Sequence, residues 1–284
     1  MPRRIVTERD IDILTALDRV PLTAQQMLRL SETFCQPFGS ERSVRERLQT
    51  LTEAGWVRSS LYALPSAGGS PKYYLLTRKG YGILYGDDAA PPTKRHFSPL
   101  SISRQHHTKA LADFLVHTMR GAHRAGVRFT EFYRENTLKL TIGDETLYPD
   151  SSFQLVGGES PFNFLVEIDN HTETIRSDKD TDSWERKLRL YDRLQDSIQN
   201  RFRVLVVTTR SSDRLRHILS TAAHSLRNPQ RRLIYGIDLP SFVKEPEPLH
   251  RNVFLDHLGR ATALIASHFS IRALHRAHEP SLID

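Results

Sequence analysis

Residues 146–174, TLYPDSSFQLVGGESPFNFLVEIDNHTET, decide how the chain is read. Two largely apolar runs, SSFQLV and FNFLVEID, flank a stretch with Gly157 and Gly158, the pattern of a buried β-hairpin. With residues 157–160 as the turn, Val156 faces Pro161, and counting back along both strands without a bulge sets Asp150 opposite Glu167. Asp169, two residues further on, shares the face of Glu167. Like charges this close destabilise a sheet unless something compensates them. A hard divalent cation, Mg²⁺ or Mn²⁺, is the simplest compensation for carboxylate oxygens. A slip of one residue in register would turn Asp150 to the other face.

Composition sets the wider frame. The chain has 284 residues, enough for one large or two ordinary domains, and a globular balance of 38% hydrophobic and 26% charged residues. Its formal net charge of +7 points to a polyanionic partner such as nucleic acid. A single cysteine, Cys35, excludes an intramolecular disulfide and a thiolate zinc site. There is no apolar run long enough to span a bilayer, and the start MPRRIVTERD lacks the apolar core of a secretion signal. A cytoplasmic protein without a membrane partner is expected.

Upstream of the hairpin, TERDIDILTALDRV spaces Ile11, Leu14, Leu17 and Val20 as one helix face, with Thr7 as N-cap. LTAQQMLRLS reads as a second short helix capped at Thr23. SERSVRERLQTLTEAGW reads as a third, with Val44, Leu48 and Leu51 inward and Gly55 as its stop. Two strand-like runs follow, WVRSSLYAL and PKYYLL, joined by PSAGGS, and then a helical start, TRKGYGILYG. Three helices and a hairpin resemble a winged helix-turn-helix, the hairpin being the wing. In such folds the third helix enters the major groove and the wing meets phosphate. The resemblance implies contacts with double-stranded DNA from Arg42, Arg45 and Arg47 on the third helix and from Lys72 on the wing. The stretch DDAAPPTKRHFSPLS has paired prolines and no periodicity, so a domain boundary is expected near residue 95. That makes residues 1–95 a DNA-binding domain and residues 96–284 a second one.

The second domain begins with a long helix, SISRQHHTKALADFLVHTMRGAHRAG, whose apolar stripe is Leu111, Phe114, Leu115 and Met119. Strand-like runs are expected at VRFTEFYRE, TLKLTIGD, ETLYPDSSFQLV and FNFLVEID. Downstream, the helix DTDSWERKLRLYDRL turns Trp184, Leu188, Tyr191 and Leu194 inward and carries Lys187. FRVLVVTT, SSDRLRHILSTAAHSL and RRLIYGIDL then alternate strand, helix, strand, the order of a core sheet flanked by helices. NVFLDHLGR is read as a last strand and ATALIASHFSIRALHRAH as a C-terminal helix. The fold expected is α+β or α/β: a winged helix-turn-helix, then a mixed sheet flanked by helices.

YPD, followed by an apolar strand that ends in an acidic residue, resembles the PD-(D/E)xK nuclease pattern. In that family the Asp and the second acidic residue hold a metal and the next Lys assists the attacking water. Here the tripeptide is Glu167-Ile168-Asp169, so Asp169 stands where that Lys is expected. In some members the Lys has moved to the following helix, which makes Lys187 its equivalent. The longer pattern PD…FLVEIDNHTET…K…Y, joined to the upstream winged helix, is similar to the replication-relaxation family, linked to plasmid replication and relaxation of plasmid DNA. The positions carried over are Asp150, Glu167, Asp169, Thr172, Glu173, Lys187 and Tyr191, with His171 where the family has Gly.

Two functions follow from the resemblance. In the first, a DNA-binding protein of plasmid or mobile-element replication nicks or cleaves DNA, with Asp150, Glu167 and Asp169 on Mg²⁺ or Mn²⁺ and Lys187 orienting the attacking water. Tyr191 as covalent nucleophile is disfavoured by its place on an apolar helix face. In the second, a winged-helix replication initiator or transcription regulator keeps a degenerate nuclease fold and does not cut. Other replication or transfer proteins are further expected partners.

Overall fold

The computed structural model describes residues 5–63, 70–93, 95–158, 161–170, 174–175 and 183–265. Residues 266–278 of the expected C-terminal helix, residues 65–69 of the PSAGGS loop, and Thr172 and Glu173 lie outside these residues; the start of that expected helix, Ala261–Thr262, forms a short strand instead. The chain divides into two compact units, residues 1–120 and 121–284.

The first unit opens with α1 (Glu8–Arg19), capped by Thr7: its hydroxyl accepts from the Asp10 N–H while the Asp10 carboxylate accepts from the Thr7 N–H at 2.9 Å. β1 (Leu22–Thr23) leads into α2 (Ala24–Leu30), and Thr23 and Gln26 form a second box of the same kind. α3 (Glu41–Glu53) buries Val44, Leu48 and Leu51 and ends at Gly55, whose φ of +75° suits a residue without a Cβ. β2 (Val57–Leu61) and β3 (Lys72–Leu76) follow, then α4 (Arg78–Tyr85). The three strands form an antiparallel sheet in the order β1-β3-β2. Helix, strand, two helices and a two-stranded wing is the winged-helix arrangement that the pattern implied.

Two expectations change here. Ile11 is not part of the α1 core face: it is 38% exposed, while the expected Leu14, Leu17 and Val20 are buried together with Asp10 and Ile13. The face is rotated because Asp10 accepts from the Arg47 Nε at 2.7 Å, so an ion pair, and no apolar side chain, fills that turn. The segment at residues 95–100, expected to be linker, packs on the first unit. His96 Nε2 lies 3.0 Å from Asp18, Phe97 sets its ring edge-on to Tyr81, and the Leu100 N–H donates to the Tyr73 hydroxyl. The division of the chain accordingly falls later, within α5 (Ile102–Arg124).

The second unit is built on a seven-stranded mixed sheet. Its strands are β4 (Arg128–Tyr133), β7 (Ser151–Val156), β8 (Phe162–Asp169), β9 (Phe202–Thr208), β10 (Ile234–Asp238), β11 (Phe254–Asp256) and β12 (Ala261–Thr262). They lie in the order β12-β11-β10-β9-β8-β7-β4. The central β8, β9 and β10 are parallel, because α6 (Trp184–Ser197) and α7 (Ser212–Ser225) make the crossovers between them. The remaining pairings are antiparallel. α8 (Leu239–Lys244) follows β10 directly.

One apolar cluster joins Leu165, Val204 and Val206 of the sheet to Leu188 and Tyr191 of α6 and to Leu215, Ile218 and Leu219 of α7. Strand alternation therefore directs Glu167 and Asp169 to the side covered by these two helices. The expected strands TLKLTIGD and ETLYPDSSFQLV are resolved differently. β5 (Leu140–Ile142) and β6 (Glu145–Leu147) form a separate two-stranded hairpin, and Tyr148-Pro149-Asp150 interrupts the second run before β7 begins. Pro149 has no N–H for the ladder, which accounts for the break.

Candidate functional site

β7 and β8 pair as the turn arithmetic requires: Ser151 opposes Val166, Phe153 opposes Phe164 and Leu155 opposes Phe162. A straight continuation would set Asp150 against Glu167. Instead, the Asp150 N–H donates outside the ladder to the Val166 carbonyl at 3.0 Å, and its carboxylate accepts from the Ile168 N–H at 2.7 Å. Asp150 is thus held on the main chain of β8, between the residues that bear the other two carboxylates. Among the described residues, Asp150, Glu167 and Asp169 do not form a group whose oxygens all lie within 4.8 Å of one another.

Glu167 and Asp169 are both buried, with 1% and 2% of their surface exposed. An isolated carboxylate at that depth would be held neutral or would destabilise the fold by several kcal/mol, so partners are required. Glu167 has two. Lys187 Nζ lies 3.0 Å from Oε2, and the Tyr191 hydroxyl donates to Oε1. Lys187 and Tyr191 are one turn apart on α6, so both reach down to the same strand. Trp184, one turn earlier, donates its Nε1–H to Asp169 Oδ1 at 3.1 Å. Arg214 completes the shell from the first turn of α7, with Nε on Oδ2 at 2.9 Å and a terminal nitrogen on Oδ1 at 2.8 Å. The two-pronged geometry matches a planar guanidinium to a planar carboxylate.

The structure brings Glu167, Asp169 and Lys187 together, and the ammonium of Lys187 turns to Glu167, with 15% of its side chain exposed. Arg214 was missed. It stands beside the apolar Leu215, Ile218 and Leu219 in sequence and reads as solvated helix surface. Its signal was topological: in parallel α/β units the N-terminal turn of a crossover helix lies beside the carboxyl ends of the strands. Asp169 stands at such an end.

A divalent ion held by Glu167 and Asp169 would have to displace protein donors. Every oxygen of these two carboxylates already accepts from a protein donor, and two of those donors are cations. The same arrangement recurs away from β8. Buried Asp192 of α6 is met by Arg227 and by Arg231 at 3.1 Å, and buried Asp256 by Arg260 at 2.8 Å. Burial pushes the Asp256 carboxyl up, but the Arg260 main chain and guanidinium together with the Leu258 N–H hold it below the usual carboxylate range.

In the first unit the four residues expected at DNA divide into two kinds. Arg42 and Arg45 project from α3 with 89% and 67% of their side chains exposed, each in an i,i+4 pair, with Glu46 and Glu41 respectively. Lys72 is exposed at the start of β3. Arg47 departs from this group. It is bound to buried Asp10 and ties α3 to α1. A groove of about 960 Å³ is lined by Arg45 and Gln49 of α3 and by Ser59, Lys72 and Tyr74 of the wing sheet.

The replication-relaxation family matches this sequence over residues 14–206. No curated protein matches. Among solved structures, the PadR-like transcriptional regulator BC1756 from Bacillus cereus is similar at 17% identity over 44% of this chain and 72% of that one, with a TM-score of 0.23. Among the described residues no helix is long and apolar enough to cross a membrane.

Proposed function

The chain belongs to the replication-relaxation family, and we propose that it binds double-stranded DNA of a plasmid or other mobile element through α3 and the wing of its first unit. The observation that carries this is the disposition of α3: Val44, Leu48 and Leu51 anchor one face while Arg42 and Arg45 extend from the other. Their pairs with Glu46 and Glu41 are exposed, and exposed helix pairs are worth only about 0.3–0.5 kcal/mol. Phosphates or guanine edges displace them at little cost. Arg47 acts indirectly, by fixing the angle of α3 against α1, and Lys72 is placed for a phosphate contact from the wing. The test is binding of the full chain to duplex DNA by fluorescence anisotropy. Arg42→Ala with Arg45→Ala should weaken binding and flatten its salt dependence. Unchanged binding by this double variant would remove α3 from the interface.

For the second unit we infer a supporting role, that of an initiator or regulator with a nuclease-like sheet that does not cut. What supports this is the engagement of Glu167 and Asp169 by Lys187, Tyr191, Trp184 and Arg214. A second reading, a Mg²⁺- or Mn²⁺-dependent nickase using Asp150, Glu167, Asp169 and Lys187, is favoured by one contact: Lys187 Nζ at 3.0 Å from Glu167. Supercoiled plasmid separates the two. Conversion to open circles that needs Mg²⁺ or Mn²⁺ and is lost in Lys187→Ala establishes the nickase; intact supercoils with either ion sustain the supporting role.

A further inference from the structure

We propose that a basic groove at the opposite end of the same sheet from Glu167 and Asp169 is a second nucleic-acid contact, one that takes the phosphate backbone. This rests on the DNA-binding reading above but on different residues and a different unit. β9 and β10 run parallel with Val204 beside Ile234, so residues 201–203 and 231–233 enter neighbouring strands at one edge. Asn163 of β8 stands beside Phe202 there, whereas Asp169 stands beside Thr208. At about 3.3 Å per residue, roughly 20 Å separates this edge from the buried acids.

The groove is about 910 Å³ in volume and is lined by Arg201, Arg203, Arg231 and Arg232, with no acidic residue among the described lining positions. These four arginines are not equivalent. Arg231 is spent on Asp192 and Asp196. Arg203 lies over the rings of Phe162 and Tyr235, at 5.3 and 5.2 Å to their centroids, and donates to the Leu264 carbonyl at 2.6 Å. It is held in place, its charge met by aromatic faces and a neutral oxygen. Arg201 and Arg232 are exposed, and among the described residues neither is paired with a carboxylate.

The groove wall is fixed before any ligand arrives. The Asn163 amide donates to the Arg201 carbonyl at 2.8 Å, and Gln195 accepts from the Phe202 N–H at 3.0 Å. Burial raises the Tyr235 phenol above its ordinary value, although the charges of Arg203 and Arg232 pull it down. Exposed guanidinium groups and side-chain amides suit a phosphate chain. An apolar or cationic partner would leave the guanidinium charges uncompensated.

The test uses the full chain, a duplex and a single strand of the same sequence, and the dependence of affinity on salt. Each phosphate contact contributes about 0.9 to the slope of log affinity against log salt on duplex DNA. Removing two contacts in Arg201→Ala/Arg232→Ala should lower that slope by about 1.8. Between about 50 and about 200 mM salt, wild-type affinity should therefore fall about twelvefold more than that of the variant. Arg201→Lys/Arg232→Lys should keep most of the slope, since charge and not fork geometry sets it. The probe with the greater loss identifies the strand state that the groove takes. An unchanged slope and affinity for both probes, with Arg42→Ala/Arg45→Ala still weakened, overturns the groove and leaves α3 standing. The reverse pattern keeps the groove and removes α3.

Discussion

The structural role assigned to Asp169 is tested most directly by deleting its partner, in Arg214→Ala. The Asp169 side chain has no exposed surface and that of Arg214 has 15%. After the deletion, the side-chain donor left to Asp169 is the Trp184 indole at 3.1 Å. Breaking one side of such a pair leaves a buried charge uncompensated and typically costs about 3–5 kcal/mol. In a unit of this size 1 kcal/mol moves the midpoint by roughly 2–4 °C, so a fall of roughly 6–20 °C is expected. Replacing both partners, in Asp169→Leu/Arg214→Met, removes the charge along with its counter-ion and should recover much of the loss, because well-packed apolar substitutes for a buried pair are often neutral or better. Urea unfolding followed by tryptophan emission is a suitable assay. Trp184 bonds to Asp169 itself, and Trp56 of the first unit can be replaced by Phe to isolate its signal. A single variant that loses less than about 1 kcal/mol would refute the argument, since it would mean that Asp169 does not depend on Arg214. So would a metal effect on the wild type. A cation bound only by the folded chain stabilises it by about 2.7 kcal/mol at a hundred times its dissociation constant, so a midpoint raised several degrees by Mg²⁺ or Mn²⁺ in the wild type and not in Asp169→Leu/Arg214→Met contradicts a cluster saturated by its own protein donors.

Other consequences are as specific. Lys187→Ala removes the ammonium that meets buried Glu167 and should destabilise the second unit by about 3 kcal/mol in the same urea assay, whereas Tyr191→Phe, which leaves the ammonium in place, should cost about half that or less. In the first unit, burial pushes the Asp10 carboxyl up, but bonds from Arg47 and Thr7 outweigh it and hold Asp10 below the usual range. A depressed carboxylate stabilises the fold fully above its unfolded value, near 3.8, and that contribution is lost as pH falls through the lower folded value. Arg47→Ala should therefore be less stable at neutral pH and show a smaller acid-side loss, the bonds from Thr7 remaining; circular dichroism melts at pH 7 and across pH 4 to 2 would show parallel curves if the pair contributes nothing. Gly80→Ala places a Cβ 2.2 Å from the Trp56 carbonyl oxygen, a clash with main chain that cannot move aside, and should lower stability by about 1–3 kcal/mol in chemical denaturation.

The parts of this fold that were legible in the sequence are those decided within one element or one turn. The Thr7 and Thr23 caps, the Val44–Leu48–Leu51 face of α3 and the β7–β8 register each follow from short-range spacing, and each is present. What escaped depends on contacts between distant segments. Ile11 has the right period for the core, yet Arg47, many residues later, brings Asp10 inward and turns Ile11 out. The FSPL stretch reads as linker, yet Phe97 has Tyr81 to pack on. Asp150 is displaced from the straight ladder because Pro149 ends the pairing one residue before the carboxylate can use it.

The hardest feature to foresee was what offsets the crowded acids, and the reason is physical. Carboxylates that share a strand face demand positive charge, but the demand does not specify its source. A hard cation and a guanidinium satisfy the same Coulomb requirement. The choice is made by whichever side chain the crossover connections bring over the strand ends, and here α6 and α7 bring Lys187 and Arg214. The same solution serves Asp192, through Arg227 and Arg231, away from β8. Among the described residues, arginine meets three of this unit's buried acids, Asp169, Asp192 and Asp256, and Lys187 meets Glu167. By contrast, Arg201 and Arg232, with no carboxylate partner among the described residues, stand at the opposite edge. Cations committed to buried acids stabilise the sheet, and cations left without acids at its other end remain available for a phosphate chain.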